Sequence, residues 1–126
     1  MDTKELMIGN YVLRHTGEIT KVLEVLTSMV RIKAEGYNSI KSITIPSRSI
    51  SPIILTEEDL LKLGFEKYFT NKFYNKSILI TNKPNNYKLL PNEWLINKEC
   101  IINYVHELQN YYYLHTKEHL EYDFTK

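Results

Sequence analysis

The first half of the chain shows the alternation of apolar and polar positions that is typical of β-strands. Residues 29–34 alternate most cleanly, with Val30, Ile32 and Ala34 on one face. Apolar, β-branched segments surround them at 7–13, 18–26 and 40–45, and the second places Ile19, Leu23 and Val25 in approximate alternation. Turn residues separate these segments at Thr16-Gly17 and at 35–39, and Pro46 ends or edges the last strand. Four or five short strands of this kind predict a small curled β-barrel, SH3-like in size.

A short helix is predicted directly after residue 55. The hydroxyl of Thr56 can cap its first turn, and the acids of Glu57, Glu58 and Asp59 complement the positive end of a helix. Leucines follow, and Gly64 stands where a helix often ends in the left-handed conformation. We therefore expect about two helical turns that pack one apolar face on the rest of the fold.

Strand-like segments and a long helix are predicted for the rest of the chain. Residues 72–75, 77–81, 87–90 and 93–96 read as strands around a turn at 82–86, and a three-stranded antiparallel meander is the simplest account. Apolar residues then recur at helical spacing over 98–114, with Asn97 as the cap, and Thr116 can cap a further turn containing Leu120. The predicted fold class is α+β, with a barrel-like half at 1–54 and an α+β half at 55–126, either separate or packed as one unit.

Composition and charge exclude several classes of protein. The chain has 126 residues, of which 43% are hydrophobic and 25% charged, and its net charge is +1. These values exclude a disordered chain and a fibre, and no global charge drives the protein onto nucleic acid or membrane. We expect no membrane span and no secretory signal. The single cysteine, Cys100, fits a reducing cytosol, so we expect a cytoplasmic protein.

Catalytic and metal-binding motifs are weak in this sequence. Residues 115–119 match the zinc motif H-x-x-E-H, but Thr116 is expected to interrupt the helix between His115 and His119, and few residues follow to supply a third ligand. Cys100 falls in the first turn of the predicted long helix, where the helix dipole would lower its pKa, and a structural role is favoured. No phosphate-binding loop, nucleophile elbow or apolar carboxylate pair is visible. We therefore expect no metal, no cofactor and no enzymatic activity.

The strongest candidate for binding is the segment from Lys67 to Lys98. It contains six lysines and one acid, Glu93, interleaved with aromatic residues. That pattern is typical of proteins that bind single-stranded nucleic acid, although the segment has no arginine and a low-GC genome would also enrich lysine. Tyr113, about 100° off the apolar stripe of the long helix, is a further candidate contact. The candidate partner-binding residues are Lys67, Lys72, Tyr74, Lys76, Lys83, Lys88 and Tyr113.

Three motifs in order along the chain carry a resemblance to a known family. Residues 6–12 resemble an opening L-R-I-G-N-x-V, residues 52–65 resemble P-I-P-L-T-E-E-x-L-x-K-x-G-F, and residues 104–120 resemble V-H-x-L-Q-N-L-Y-F-A-L-T-G-x-E-L. The chain thus resembles small proteins encoded by phages, prophages and mobile elements of Bacteroidetes bacteria. It departs from them at 113–117, where the glycine that ends the helix is missing. The resemblance implies a genomic context and carries over no catalytic residues.

That context suggests a protein that acts by stoichiometric binding. The first hypothesis is a counter-defence inhibitor of the anti-CRISPR type, whose partner is a host defence protein or its ribonucleoprotein complex. The type VI-B CRISPR effectors of flavobacteria are the candidate target that the host range implies. The alternatives are an accessory module that binds single-stranded RNA or DNA, and a minor virion or assembly component. No membrane partner is expected.

Overall fold

The computed structural model describes residues 1–33, 42–76, 78–84 and 92–125. This part of the chain contains ten strands and two α-helices, and every pairing between its strands is antiparallel. The α+β class predicted from the sequence is therefore confirmed. The chain divides into two compact units, Met1–Ile53 and Ile54–Lys126.

The first unit is a curled antiparallel sheet in the order β4-β3-β2-β1-β5. Its strands are β1 (Tyr11–Arg14), β2 (Ile19–Val25), β3 (Met29–Lys33), β4 (Ser42–Pro46) and β5 (Ile50–Ser51). The sheet forms a half-barrel, and the closed SH3-like layout stays a prediction. Gly9 precedes β1 with φ +96°, and its N–H donates to the carbonyl of Val22 at 2.8 Å, a close backbone approach that a glycine permits.

The core of the first unit lies on one face of this sheet. Its buried residues are Leu6, Val12, Val22, Val30, Ile32 and Ile50. The alternation predicted for Val30 and Ile32 is confirmed, whereas Ala34, the turn at 35–39 and Ile40 lie outside the described residues. The approximate alternation predicted for Ile19, Leu23 and Val25 is interrupted, because the register of β2 shifts between Val22 and Glu24, and of these three Val25 packs against the core. Val22 is fully buried instead, and Ile19 is exposed.

The second unit begins with the predicted short helix, α1 (Glu57–Lys62). Thr56 Oγ1 accepts a hydrogen bond from the Asp59 N–H at 3.2 Å, and Asp59 Oδ2 accepts one from the Thr56 N–H at 3.0 Å. This reciprocal pair is a capping box. Gly64 adopts φ +93° just beyond the helix, and Phe65 is buried behind it. The local signals in the sequence were sufficient to place this helix.

Five strands follow α1, where the sequence predicted three. They are β6 (Glu66–Phe69), β7 (Lys72–Asn75), β8 (Ile78–Pro84), β9 (Asn92–Ile96) and β10 (Cys100–Ile102). They form an antiparallel meander in the order β10-β9-β8-β7-β6. The turn predicted at 82–86 is wrong for residues 82–84, which continue β8, while the rest of that turn and the strand predicted at 87–90 lie outside the described residues.

The last helix, α2 (Val105–Thr116), starts later than predicted. Asn97 and Lys98 adopt the left-handed conformation, with φ 48° and 60°, and form the turn between β9 and β10. Asn97 therefore caps no helix, and its Oδ1 instead accepts a hydrogen bond from the Leu79 N–H at 2.8 Å. The helix ends at Thr116 because Lys117 is left-handed, with φ 63°. The further turn predicted around Leu120 is absent, since Leu120 is buried in a segment without helical structure.

Candidate functional site

The sheet of the second unit has a buried inner side. Phe73, Ile80, Trp94 and Ile96 are all buried, and the Trp94 Nε1 donates to the carbonyl of Leu55 at 3.0 Å. Helix α2 lies on this side, because the Tyr112 hydroxyl donates at 3.3 Å to Oδ1 of Asn75, which shares a face with Phe73. The side chains that point the other way form the second surface of the sheet.

We call that second surface the outer face. Register partners on neighbouring strands point to the same side of a sheet, so the pairing pattern defines it. One cross-strand row joins all five strands and consists of Phe69, Lys72, Thr81, Leu95 and Ile101. A second row beside it consists of Glu66, Tyr74 and Leu79. Lys83 and Glu93 form a third, on the opposite side of the first row.

Large apolar and aromatic side chains are accessible on the outer face. Phe69 is 58% exposed, Tyr74 50% and Ile101 49%. Tyr68, at the irregularity in β6, is 70% exposed and packs edge-on against Phe69 with 4.5 Å between the ring centroids. These rings and Ile101 stand on paired strands, so the surface that they form is held rigidly. Exposed aromatic groups on a rigid scaffold are characteristic of protein interaction sites.

Two of the candidate lysines are neutralised by acids of their own chain. Lys67 Nζ lies 2.6 Å from Oε1 of Glu57, and it also lies 6.0 Å from the centroid of the Phe73 ring, on the inner side. Lys76, in the turn after β7, forms an ion pair with Glu118, and the hydrogen bond that its ammonium donates to this carboxylate raises the pKa of Lys76. Both lysines are thus occupied within the second unit, and neither belongs to the outer face.

The outer face itself carries a balanced set of charges. Among the residues that the structure describes, its ionic side chains are those of Lys72, Lys83, Glu66 and Glu93, and Lys83 lies directly opposite Glu93 in the β8–β9 register. Lys72 is half buried beside Phe69, and its ammonium lies 5.9 Å from the centroid of that ring. Among the residues that the structure describes, no carboxylate forms an ion pair with Lys72.

Neither edge of this sheet offers a regular strand for pairing with another chain. At one edge, β6 changes register between Lys67 and Phe69, and such a bulge with a charged residue blunts an edge strand. At the other edge, beyond β10, the Leu55 N–H donates to the carbonyl of Asn103 at 2.9 Å, and Ile54 pairs with Tyr104.

Of the two remaining candidate contacts, Tyr113 does not lie on the outer face. Tyr113 lies on α2, its ring stacks on His119 with 4.5 Å between centroids, and the Lys117 ammonium lies 6.0 Å from that ring. Its ring is thus engaged by neighbours in the chain. Lys88 lies outside the described residues. The structure therefore groups Lys72, Tyr74 and Lys83 on one surface and leaves Lys67, Lys76 and Tyr113 elsewhere.

The two histidines of the H-x-x-E-H motif stack on tyrosine rings, and Cys100 lies in a strand. Because α2 ends at Thr116, His115 lies in the helix and His119 beyond it, and the two imidazoles stack on different tyrosines, Tyr111 and Tyr113. Cys100 begins β10 and not a helix, so the predicted dipole effect on its thiol is wrong. Burial, together with the negative charges of Glu99 and Glu107, raises the pKa of the Cys100 thiol above its ordinary value.

Comparisons with known proteins add no assignment. The chain matches no model of a known protein family, no curated protein and no solved structure. Within residues 1–33, 42–76, 78–84 and 92–125, no helix is both long and apolar enough to cross a membrane. In the same part of the chain, no group of three or more His, Cys, Asp or Glu side chains is placed to hold a metal ion.

Sequence reasoning missed the apolar members of the outer face. Phe69 is one of several aromatic residues in the segment from Lys67 to Lys98, and Ile101 falls within the helix predicted over 98–114. A signal for Phe69 exists, because Asn71 marks a turn between two short segments and places Phe69 and Lys72 opposite each other. No local signal identifies Ile101, because its position depends on the pairing of β9 with β10.

Proposed function

We propose that this protein acts by stoichiometric binding to another protein, which it contacts through the outer face of its second unit. The observation that carries the proposal is the row of accessible side chains across five strands, with Phe69 at one end and Ile101 at the other and Tyr74 beside it. Apolar and aromatic groups of this kind supply binding energy when a partner covers them. A rigid sheet adds little entropic cost to that association.

The charges of this surface favour a protein partner over single-stranded nucleic acid. A nucleic-acid groove follows the phosphate backbone with a series of cations. Here Lys67 and Lys76 are paired with Glu57 and Glu118, and the described part of the outer face holds as many glutamates as lysines. The aromatic groups that could stack on bases therefore stand in a neutral surface.

The resemblance to phage and mobile-element proteins suggests the identity of the partner. We propose a counter-defence role, in which the chain occupies a surface of a host immune effector in the bacterial cytoplasm and blocks it without turnover. A guide-loaded CRISPR effector of type VI-B from a flavobacterial host is the first candidate. Such inhibition requires shape, a few anchor side chains and no catalytic group.

The experiment begins with capture of partners by the tagged wild-type chain from a nuclease-treated host lysate. The captured protein is then purified and titrated with the chain, and complex formation is measured by calorimetry and by light scattering after size-exclusion chromatography. We expect a complex of fixed stoichiometry. The variants Phe69→Ala and Tyr74→Ala should each bind at least about tenfold more weakly, because anchor side chains typically contribute more than about 1.4 kcal/mol.

Matched variants on other surfaces serve as controls. Ile8→Ala and Leu114→Ala remove exposed apolar groups that lie outside the outer face, since Ile8 belongs to the first unit and Leu114 to α2. Both should bind as the wild type does. The proposal is wrong if the purified captured protein and the chain form no complex, or if Phe69→Ala and Tyr74→Ala keep full affinity while their thermal unfolding is unchanged.

A further inference from the structure

Lys72 differs from Lys67 and Lys76 in its surroundings. It lies within the cross-strand row, half buried between Phe69 and Thr81 in register and two residues from Tyr74 on the same face. Its ammonium contacts the ring of Phe69 and has no ion-pairing carboxylate among the described residues. Lys67 and Lys76, in contrast, are both paired with acids.

A cation within an apolar surface imposes a condition on whatever covers that surface. When a partner excludes water from the outer face, the Lys72 ammonium loses part of its hydration, which is unfavourable unless a negative group replaces the water. The ring of Phe69 offsets only part of this lost hydration, since a cation–π contact is weaker than a charge-assisted hydrogen bond. A partner that binds here therefore needs an anionic group opposite Lys72.

We propose that the partner presents the carboxylate of an Asp or Glu side chain to Lys72, flanked by apolar side chains that cover Phe69 and Tyr74. This inference rests on the proposed function and names the chemistry of the partner at the same site. A carboxylate fits better than the phosphates of a nucleic acid, because Lys72 is the one lysine of the described residues in the row that Phe69 and Ile101 end, whereas a phosphate backbone needs a series of cations. Charge complementarity at this one point would also set the register of docking.

The test uses the purified protein captured by the wild-type chain and a set of changes at one position. Lys72→Gln removes the charge and should weaken binding about tenfold to a hundredfold, the range expected for loss of a charge-assisted hydrogen bond. Lys72→Glu should weaken it further, and Lys72→Arg should retain most of the affinity. Lys33→Glu is the matched control, because Lys33 is an exposed strand lysine of the first unit, and it should bind as the wild type does.

Salt dependence and a charge exchange provide a second readout. Affinity of the wild type should fall with added salt more steeply than affinity of Lys72→Gln, because only the wild type carries the ion pair. Each acidic residue of the partner that becomes protected from carbodiimide labelling in the complex is changed to Lys. One such change should weaken binding to the wild type and restore binding to Lys72→Glu.

The outcomes separate this inference from the proposed function. If Phe69→Ala and Tyr74→Ala weaken binding while Lys72→Gln does not, the carboxylate contact is wrong and the docking surface stands. If none of the three changes weakens binding, both the carboxylate contact and the proposed docking surface are wrong. Binding of a labelled single-stranded RNA oligonucleotide that Lys72→Gln abolishes would assign Lys72 to phosphate and overturn the inference. A dimer of the chain alone that Lys72→Glu dissociates would assign the carboxylate to a second copy and also overturn it.

Discussion

The hydroxyl of Tyr122 donates a hydrogen bond to Oδ1 of Asp59 at 3.0 Å and so joins the C-terminal segment to the first turn of α1. The other carboxylate oxygen, Oδ2, accepts from the Thr56 N–H and completes the capping box. A backbone hydrogen bond from Asp123 to the carbonyl of Lys62, 2.7 Å long, holds the other end of the helix. One short helix is thus fixed at both ends by the last residues of the described chain.

Tyr122→Phe tests this contact. Tyr122 is 7% exposed, and the change removes only the hydroxyl, so Asp59 loses one hydrogen bond while the ring stays in place. We expect the free energy of unfolding to fall by about 1 kcal/mol. The measurement is urea unfolding followed by fluorescence of Trp94, which is the single tryptophan and is buried in the same unit. Tyr68→Phe is the control, because Tyr68 is 70% exposed, and a loss of equal size there would contradict the assignment.

Gly64→Ala should destabilise the second unit through backbone conformation. Gly64 has φ +93°, and an added Cβ would lie 3.5 Å from Nδ2 of Asn75, an ordinary van der Waals distance. The left-handed region costs a residue with a Cβ about 1–2 kcal/mol, and we expect a loss of this size. Gly17 has φ +88° and open space around an added Cβ, so Gly17→Ala should lower the free energy of unfolding by a similar amount. Both losses can be measured by urea unfolding followed by circular dichroism. A much larger loss at Gly64 alone would show that packing against Asn75 dominates.

The Cys100 thiol should react slowly at neutral pH. Burial and the neighbouring charges of Glu99 and Glu107 disfavour the thiolate and raise its pKa. The rate of alkylation by iodoacetamide should therefore rise with pH with a midpoint above that of the same chain in denaturant. Glu99→Gln should move the midpoint of the folded protein downward, since it removes one negative charge. An alkylation midpoint below the ordinary pKa of a thiol would contradict the burial and the neighbouring negative charges that the structure gives Cys100.

The ion pair between Lys67 and Glu57 should contribute little to stability. Both side chains are nearly half exposed, at 44% and 45%, and exposed pairs typically contribute less than about 1 kcal/mol. We expect Glu57→Gln to change the free energy of unfolding by no more than about 0.5 kcal/mol. It should also leave partner affinity unchanged, because this pair lies off the outer face. A tenfold change in affinity would show that the docking surface extends to α1.

Local signals in the sequence were enough for α1 and for the strands that alternate cleanly. The Thr56–Asp59 capping box and Gly64 act within a few residues of each other, so the helix that they define can be recognised without knowing the rest of the fold. The region around Ile101 was misread because its apolar spacing also fits a helix. What decides against the helix is the left-handed turn at Asn97 and Lys98, which depends on the pairing of β9 with β10.

The candidate site could be predicted only in part for a related reason. Lys72 and Tyr74 are two residues apart on one strand, so their common face follows from the sequence. The partnership of Lys67 with Glu57 and of Lys76 with Glu118 does not, because each joins residues that are distant along the chain. The basic character of the segment therefore looked stronger in sequence than it is in the fold.

The measurement that tests the central claim most directly is a titration of a guide-loaded type VI-B effector with the purified chain. RNA cleavage is recorded at effector concentrations well above the dissociation constant. We expect cleavage to fall in proportion to the chain added and to end at a fixed molar equivalence. With the effector diluted to near the wild-type dissociation constant, Phe69→Ala and Tyr74→Ala should need a higher concentration for half inhibition. Complete loss of cleavage at a small fraction of one equivalent would reveal turnover and contradict the account, as would a chain in excess that leaves cleavage unchanged.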